Sequence, residues 1–160
     1  MIFITTGTQE PFDRLVKVAD DLAAQLPEVR FTVQAFTSAY KSVHVNVVNF
    51  MTPLEFEENM KKADLIISHA GMGTIISALV NLKPIIVMPR LLKYKEHRNE
   101  HQLATAKKLD TLGYITVAYD EEALYNKVLE MWPDNLSLLH QVGKYASKSL
   151  LSSLQNYINE

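Results

Sequence analysis

Apolar residues in this chain fall into short, β-branched runs separated by stretches with helical spacing. MIFIT (1–5), RFTVQA (30–35), VHVNVVNF (43–50), DLIIS (64–68), PIIVMP (84–89) and YITVAY (114–119) read as strands. After Pro11, the residues Phe12, Leu15, Val16, Ala19 and Leu22 recur on one helical face, and Leu54, Phe56 and Met60 do so after Pro53. A further helix is expected from about Thr74 to Leu82. Another runs to about Leu112, where Gly113 ends it, and Asp120 is placed to cap one through Trp132. A last amphipathic helix is expected to carry Leu139, Val142, Ala146, Leu150, Leu154 and Ile158.

Strands alternating with helices predict an α/β fold, a Rossmann-like doubly wound parallel sheet with helices on both faces. The 160 residues suit one domain spanning the whole chain, 1–160. In such sheets ligands bind outside the carboxyl ends of the strands. Three loops there hold the unusual polar residues: TTGTQEP (5–11), HAGMGT (69–74) and PRLLKYKEHRNEHQ (89–102). All three are expected to open onto one rim.

Composition narrows the classes. A net charge of −2 gives no reason to expect a nucleic-acid binder, and the absence of cysteine removes disulfides and thiolate metal sites. No basic n-region opens the chain, and no window approaches ~18 uninterrupted apolar residues, so the expectation is a cytoplasmic protein.

The loops carry the chemistry. Gly71 and Gly73 are expected to take backbone angles that other residues avoid and to let a ligand approach the main chain. The helix that follows aims free N–H groups and its positive dipole end at that space, which suits a diphosphate. Ser68, His69 and Thr74 add polar groups; without them the same glycines read equally well as a packing turn. A dinucleotide fingerprint fails for want of its third glycine, and no G-K-[ST] of a P-loop occurs. His97-Arg98-Asn99-Glu100-His101 matches H-x-x-E-H, so a zinc hydrolase is an alternative if His97 and His101 share a helical face. The same residues, with Gln102, equally suit hydrogen bonds to sugar hydroxyls. Lys83, Arg90, Lys93, Lys95 and Arg98 form a basic run around this rim. No Asp-x-Asp pair of the kind that holds manganese in sugar-nucleotide sites is present.

TTGTQEPFDRL, ADLIISHAGMGTIISAL, KPIIVMPR and EHRNEHQLATA occur in that order, and together they resemble the C-terminal, donor-binding domain of glycosyltransferase family 28. The likeness covers roughly residues 1 to 119 and is strongest to the freestanding form of that domain. That form serves dolichol-linked N-acetylglucosamine transfer in eukaryotes and exopolysaccharide and capsule synthesis in bacteria.

The resemblance implies one half of a GT-B glycosyltransferase, with a UDP-sugar as donor substrate and no further cofactor or metal. It puts the diphosphate at His69, Ala70, Gly71, Met72, Gly73 and Thr74, with Thr6, Gly7, Thr8 and Gln9 beside it. The uracil falls at Phe50 and Met51, and the sugar at His101 and Gln102 with His97 and Glu100 nearby. His69 is given an orienting role only. Many relatives carry a glutamate for the ribose diol seven residues before the proline of the KP pair; here that position is Ser77.

The acceptor half and the catalytic base are expected on a membrane-anchored partner subunit that brings a lipid-linked acceptor and recruits this chain to the cytoplasmic face. A non-catalytic subunit that stabilises or enhances a partner transferase is the remaining alternative.

Overall fold

The computed structural model describes residues 1–143, Ser152 and Gln155. Six strands form one sheet: β1 (Ile2–Thr5), β2 (Phe31–Gln34), β3 (Val47–Val48), β4 (Leu65–Ser68), β5 (Ile85–Val87) and β6 (Thr116–Val117). Every pairing is parallel and the order is β3-β2-β1-β4-β5-β6. The sheet is wound outward in both directions from β1 and β4. That pair is the topological switch point, where the loops leaving two adjacent strands part to opposite faces and open a crevice.

Alternation along the strands divides the core in two. Ile2, Ile4, Leu65 and Ile67 face α1 (Asp13–Gln25) and α5 (Glu121–Met131), packing with Leu15, Val16, Ala19, Leu22, Leu124 and Val128. Phe3, Ile66, Ile85 and Val87 face the other way, against Met60 of α2 (Pro53–Lys62), Ile75 and Leu79 of α3 (Met72–Val80) and Ala106 of α4 (His101–Thr111). Being covered on both faces, the strands read as unbroken apolar runs. Local signals fix the helix starts. Thr52 and Glu55 form a capping box ahead of Pro53, and the Asp120 carboxylate accepts from Ala123 N–H at 2.7 Å.

Four elements differ from the sequence expectation. The strand expected over residues 43–50 shrinks to Val47–Val48 because the buried Asp20 carboxylate of α1 takes the N–H groups of Val43, His44 and Val45. Those bonds, with that of Tyr40 O–H, outweigh burial and hold Asp20 below the usual carboxylate range. The strand expected over 114–119 is reduced to Thr116–Val117. The glycine-loop helix begins at Met72, two residues early. Residues 139–143 are not helical, and Ala146, Leu150, Leu154 and Ile158 of the expected last helix lie outside the described residues.

Candidate functional site

At the carboxyl ends of β1 and β4, all three polar loops meet around a cavity of about 500 Å³. The first contributes Thr6, Gly7, Thr8, Gln9 and Glu10; the second His69 through Thr74; the third Arg90, His97, His101, Gln102 and, one turn into α4, Thr105. The first hydrogen bond of the α3 ladder is Ile75 N–H to Gly71 O at 3.1 Å. The N–H groups of Met72, Gly73 and Thr74 therefore stand ahead of the ladder, at the positive end of the helix dipole.

His69 is the centre of the cradle. A Cβ on Gly71 would lie 2.2 Å from its Nε2, and one on Gly7 2.8 Å from its Cε1. The imidazole is gripped between Gly7 and Gly71, and this corrects the backbone-angle reason expected for Gly71 and Gly73. Gly71 has an ordinary φ of −86°, and a Cβ on Gly73 would meet nothing within 4 Å. Gly71 is required by the ring; at Gly7, a φ of 76° adds a second requirement. Burial first, then the Arg90 guanidinium, pushes the His69 pKa down to about 4, against the pull of the Thr5 carbonyl. The imidazole is neutral at pH 7, and its Nδ1 is buried without a partner.

The only other buried side-chain polar atom without a partner among the described residues is Arg90 Nε, on the same cavity. Arg90 is 2% exposed and none of the ion pairs among the described residues includes it. Its Nη2 donates to the carbonyls of Thr6 and Glu10, the two ends of the first loop, while its backbone N–H is accepted by Gln102 Oε1 at 3.2 Å. Burial lowers its pKa, with the Glu96 and Glu10 carboxylates opposing; a guanidinium nonetheless stays protonated.

Gln34, at the end of β2, fastens the same loop from the other side. It is 2% exposed, accepts from Thr5 Oγ1 at 2.6 Å, and donates to Gly7 O at 3.2 Å and Asn49 O at 3.1 Å. Sequence reading missed Gln34 and placed Arg90 only in the basic run around the rim, not as the residue that closes the loop. Their one signal is a polar side chain ending or closely following a buried strand.

The third loop is strapped to the body by its acids. Glu96 takes both Arg14 Nε, at 2.6 Å, and Leu91 N–H, and Arg14 also pairs with Glu121 at 2.8 Å. Glu100 accepts from Leu92 N–H at 3.1 Å and does not line the cavity. His97 precedes α4, which starts at His101, so the two histidines do not share a helical face as the zinc alternative requires. Instead their rings meet edge to face, 4.4 Å apart, with Arg98 N–H donating to His97 Nδ1 and Asn99 Oδ1 bonded to His101. Burial, then His101 and Arg90, lowers the His97 pKa. The basic run divides: Arg90 turns inward, while Lys93, Lys95 and Arg98 are exposed.

The cavity continues outward as a groove. A space of about 300 Å³ lies between Gly7, Thr8, Gly73, Thr74 and Ser77, with Met51 and Phe56 behind. A space of about 600 Å³ follows, bounded by Phe50, Met51, Ile76 and Ser77. Thr8 borders all three. The structure thus brings together the residues named from sequence except Ser68 and Glu100. Ser68 is fully buried, its hydroxyl donating to His69 O.

The sequence profile of the glycosyltransferase family 28 C-terminal domain matches residues 1–157. A UDP-N-acetylglucosamine transferase subunit ALG13 from Cryptococcus neoformans var. neoformans serotype D is 34% identical over 118 residues, covering 71% of this chain and 56% of that one. The human protein of the same name is 30% identical over 126 residues, covering 71% of this chain and 10% of that one. The chain thus spans little more than half of the fungal relative and a small part of the human one. A UDP-N-acetylglucosamine--N-acetylmuramyl-(pentapeptide) pyrophosphoryl-undecaprenol N-acetylglucosamine transferase from Clostridium botulinum is 30% identical, over 64% of this chain and 31% of that one. Among solved structures, an ALG13 solution structure superposes with a TM-score of 0.59 at 21% identity, covering 96% of this chain and 93% of that one. The spinosyn forosaminyltransferase SpnP superposes with a TM-score of 0.59 at 17% identity, covering 99% of this chain but 43% of that one. The fold is thus the Rossmann-like half of a GT-B glycosyltransferase, and the chain belongs to the glycosyltransferase family 28 C-terminal domain family.

Proposed function

We propose that this chain is the donor-binding part of an inverting glycosyltransferase that moves a sugar from a UDP-sugar to a lipid-linked acceptor. The observation that carries the reading is the cradle itself. The α3 N-terminus, His69 and a buried arginine converge on one cavity at the switch point of the sheet, and both residues with an unpartnered buried nitrogen among the described residues line it. A diphosphate supplies the negative charge and acceptor oxygens that such a cradle lacks. In this pose the sugar lies toward His97, His101 and Gln102, and Gln102, its carbonyl end tied to Arg90 N–H, turns its amide donors to the hydroxyls. The ribose and uracil extend past Ser77 to Phe50 and Met51. N-acetylglucosamine is the favoured sugar, because the names of the fungal and the bacterial relative both specify its UDP conjugate.

The reaction is a single displacement. An acceptor hydroxyl, deprotonated by a base on the acceptor-binding partner, attacks the anomeric carbon as the bond to the diphosphate oxygen breaks. The leaving electron pair stays on UDP. The N–H groups of Met72, Gly73 and Thr74 face that developing charge and stabilise it more in the transition state than in the ground state. No helix among the described residues is long and apolar enough to cross a membrane, and a membrane-anchored partner is assigned the tasks of acceptor binding and recruitment from the cytoplasm.

Titration of the chain with UDP, UDP-N-acetylglucosamine and ADP tests the reading, followed by transfer assays with the partner present. Preferential UDP binding and partner-dependent transfer are expected. No UDP binding at millimolar concentration with the partner present would sink it.

A further inference from the structure

We infer that Arg90 is a positioning residue for the leaving diphosphate: it locks the Thr6–Glu10 loop around the anion and supplies fixed positive charge from beneath it. The inference rests on the donor-site reading above and adds a residue to it. Three observations carry it. Arg90 is buried, yet no carboxylate pairs with it among the described residues; Glu96, the nearest acid by its electrostatic pull, is already held by Arg14. One nitrogen of its guanidinium holds both ends of the first loop, at Thr6 O and Glu10 O, so the loop is closed around the charge. Its backbone N–H holds Gln102, so the same residue registers the sugar end of the cavity against the phosphate end.

A buried cation without a counter-charge is expensive, and it persists where something else completes it. Structural stabilisation alone would be served as well by a neutral donor. Glu10 borders the cavity without pairing to Arg90, and His69 is neutral, so neither neutralises the site. Glu96 and Glu10 act on the guanidinium only at a distance, and the cavity that Arg90 lines is where a directly compensating negative charge can sit. Because Nε is sealed from solvent, that nitrogen acts through the loop and the field rather than by touching the ligand.

The test uses the full chain and three probes: inorganic pyrophosphate, uridine and UDP. Arg90→Met removes the charge and both carbonyl contacts, and Arg90→Lys keeps the charge but not the fork. Arg90→Met is expected to weaken pyrophosphate and UDP by about tenfold or more, with uridine unchanged and Arg90→Lys intermediate. Equal losses for uridine and UDP would mark a general loosening and overturn the proposal, as would unchanged pyrophosphate affinity. Should the variants not fold, the wild-type chain decides. The Arg90 Nε–H resonance shifts with pyrophosphate if the charge is coupled to the anion, and a resonance that stays put overturns the role. Pyrophosphate bound with these signatures but no gain on adding uridine would support Arg90 while removing the UDP reading.

Discussion

The two halves of the groove are built in different ways. The inner half, around His69, is fitted atom to atom: an imidazole between two glycines, a loop fastened by Gln34 on one side and Arg90 on the other, and a helix end aimed inward. The outer half is open. Phe50 is 66% exposed and Ile76 45%, and Ser77 occupies the position where the family resemblance implies an acid. The inner half is specified by this chain's own packing and charge; the outer half is left to be completed by what binds there. Substitutions that disturb the packing around His69 should therefore cost both stability and affinity, whereas those in the outer half should change affinity and selectivity while leaving stability intact.

Gly71→Ala should have the largest effect. Its methyl would sit 2.2 Å from His69 Nε2, so the ring must leave its slot. A stability loss of about 1–3 kcal/mol is expected, the usual cost of overpacking, together with at least about a tenfold loss of UDP affinity. Chemical unfolding and calorimetric titration measure the two. A variant of native stability and affinity would show that the fit around the ring is not what defines the inner half.

Next comes pH. His69 binds a proton near 6.5 in the unfolded chain and near 4 in the folded one. Between those values the unfolded state holds more protons, so stability falls as pH falls from about 6.5 to 4 and is unaffected by this group above 6.5. The full loss is on the order of 3 kcal/mol. Arg90 and His97 are the charged or titratable neighbours that oppose protonation. His69→Gln should flatten this part of the profile in urea unfolding between pH 4 and 7; parallel profiles for the two proteins would remove His69 as its source. A bound diphosphate would reverse the bias and raise the His69 pKa, visible in its imidazole resonances.

The sequence reveals the two halves unequally. IFIT, LIIS and IIV are legible as strands because burial on both faces leaves no polar position to confuse the period. TTGTQ and HAGMGT are legible because glycines and polar residues stand out between such runs. Gln34 is not, and of Arg90 only its place in the basic run is, since their roles come from burial against segments 15 to 84 residues away. The strand over 43–50 is overextended for the same reason: its residues favour β structure locally, but Asp20, 23 to 25 positions earlier, captures three of its N–H groups. His97 and His101 carry a helical metal spacing in sequence, which is lost because Glu100 is used to hold Leu92 and the helix waits until His101. What sequence misses here is tertiary capture of polar groups.

Ser77→Glu addresses the outer half. Ser77 borders the groove between the phosphate loops and Phe50, with its carbonyl accepting from Asn81 Nδ2 at 2.8 Å. A carboxylate there would reach the same space and accept from both hydroxyls of a ribose. UDP affinity should rise several-fold, up to about tenfold, as expected for a hydrogen bond to a charged group. The sharper readout is discrimination: the wild-type chain should bind UDP and 2′-deoxy-UDP alike, and the variant should prefer UDP. An unchanged ratio would mean the ribose lies elsewhere, and the outer half would lose its assignment while the inner half kept its own.

Gly73→Ala should do least, and for that reason it separates the two glycines of the loop. Nothing lies within 4 Å of the position its methyl would take, and Gly73 is already helical in the first turn of α3. Replacing a helical glycine with alanine removes backbone entropy from the unfolded chain, so stability should hold or rise by up to about 1 kcal/mol. The N–H that faces the cavity is retained, since alanine keeps its backbone donor. UDP affinity should therefore stay within about twofold of wild type, because one methyl is added to open space and no donor is removed. Thermal unfolding with a UDP titration measures both. A large loss of affinity with native stability would mean that the diphosphate lies directly against the Gly73 Cα, closer to the helix end than the cradle around His69 requires, and the anion would then be held chiefly by the helix and only secondarily by the ring and the arginine.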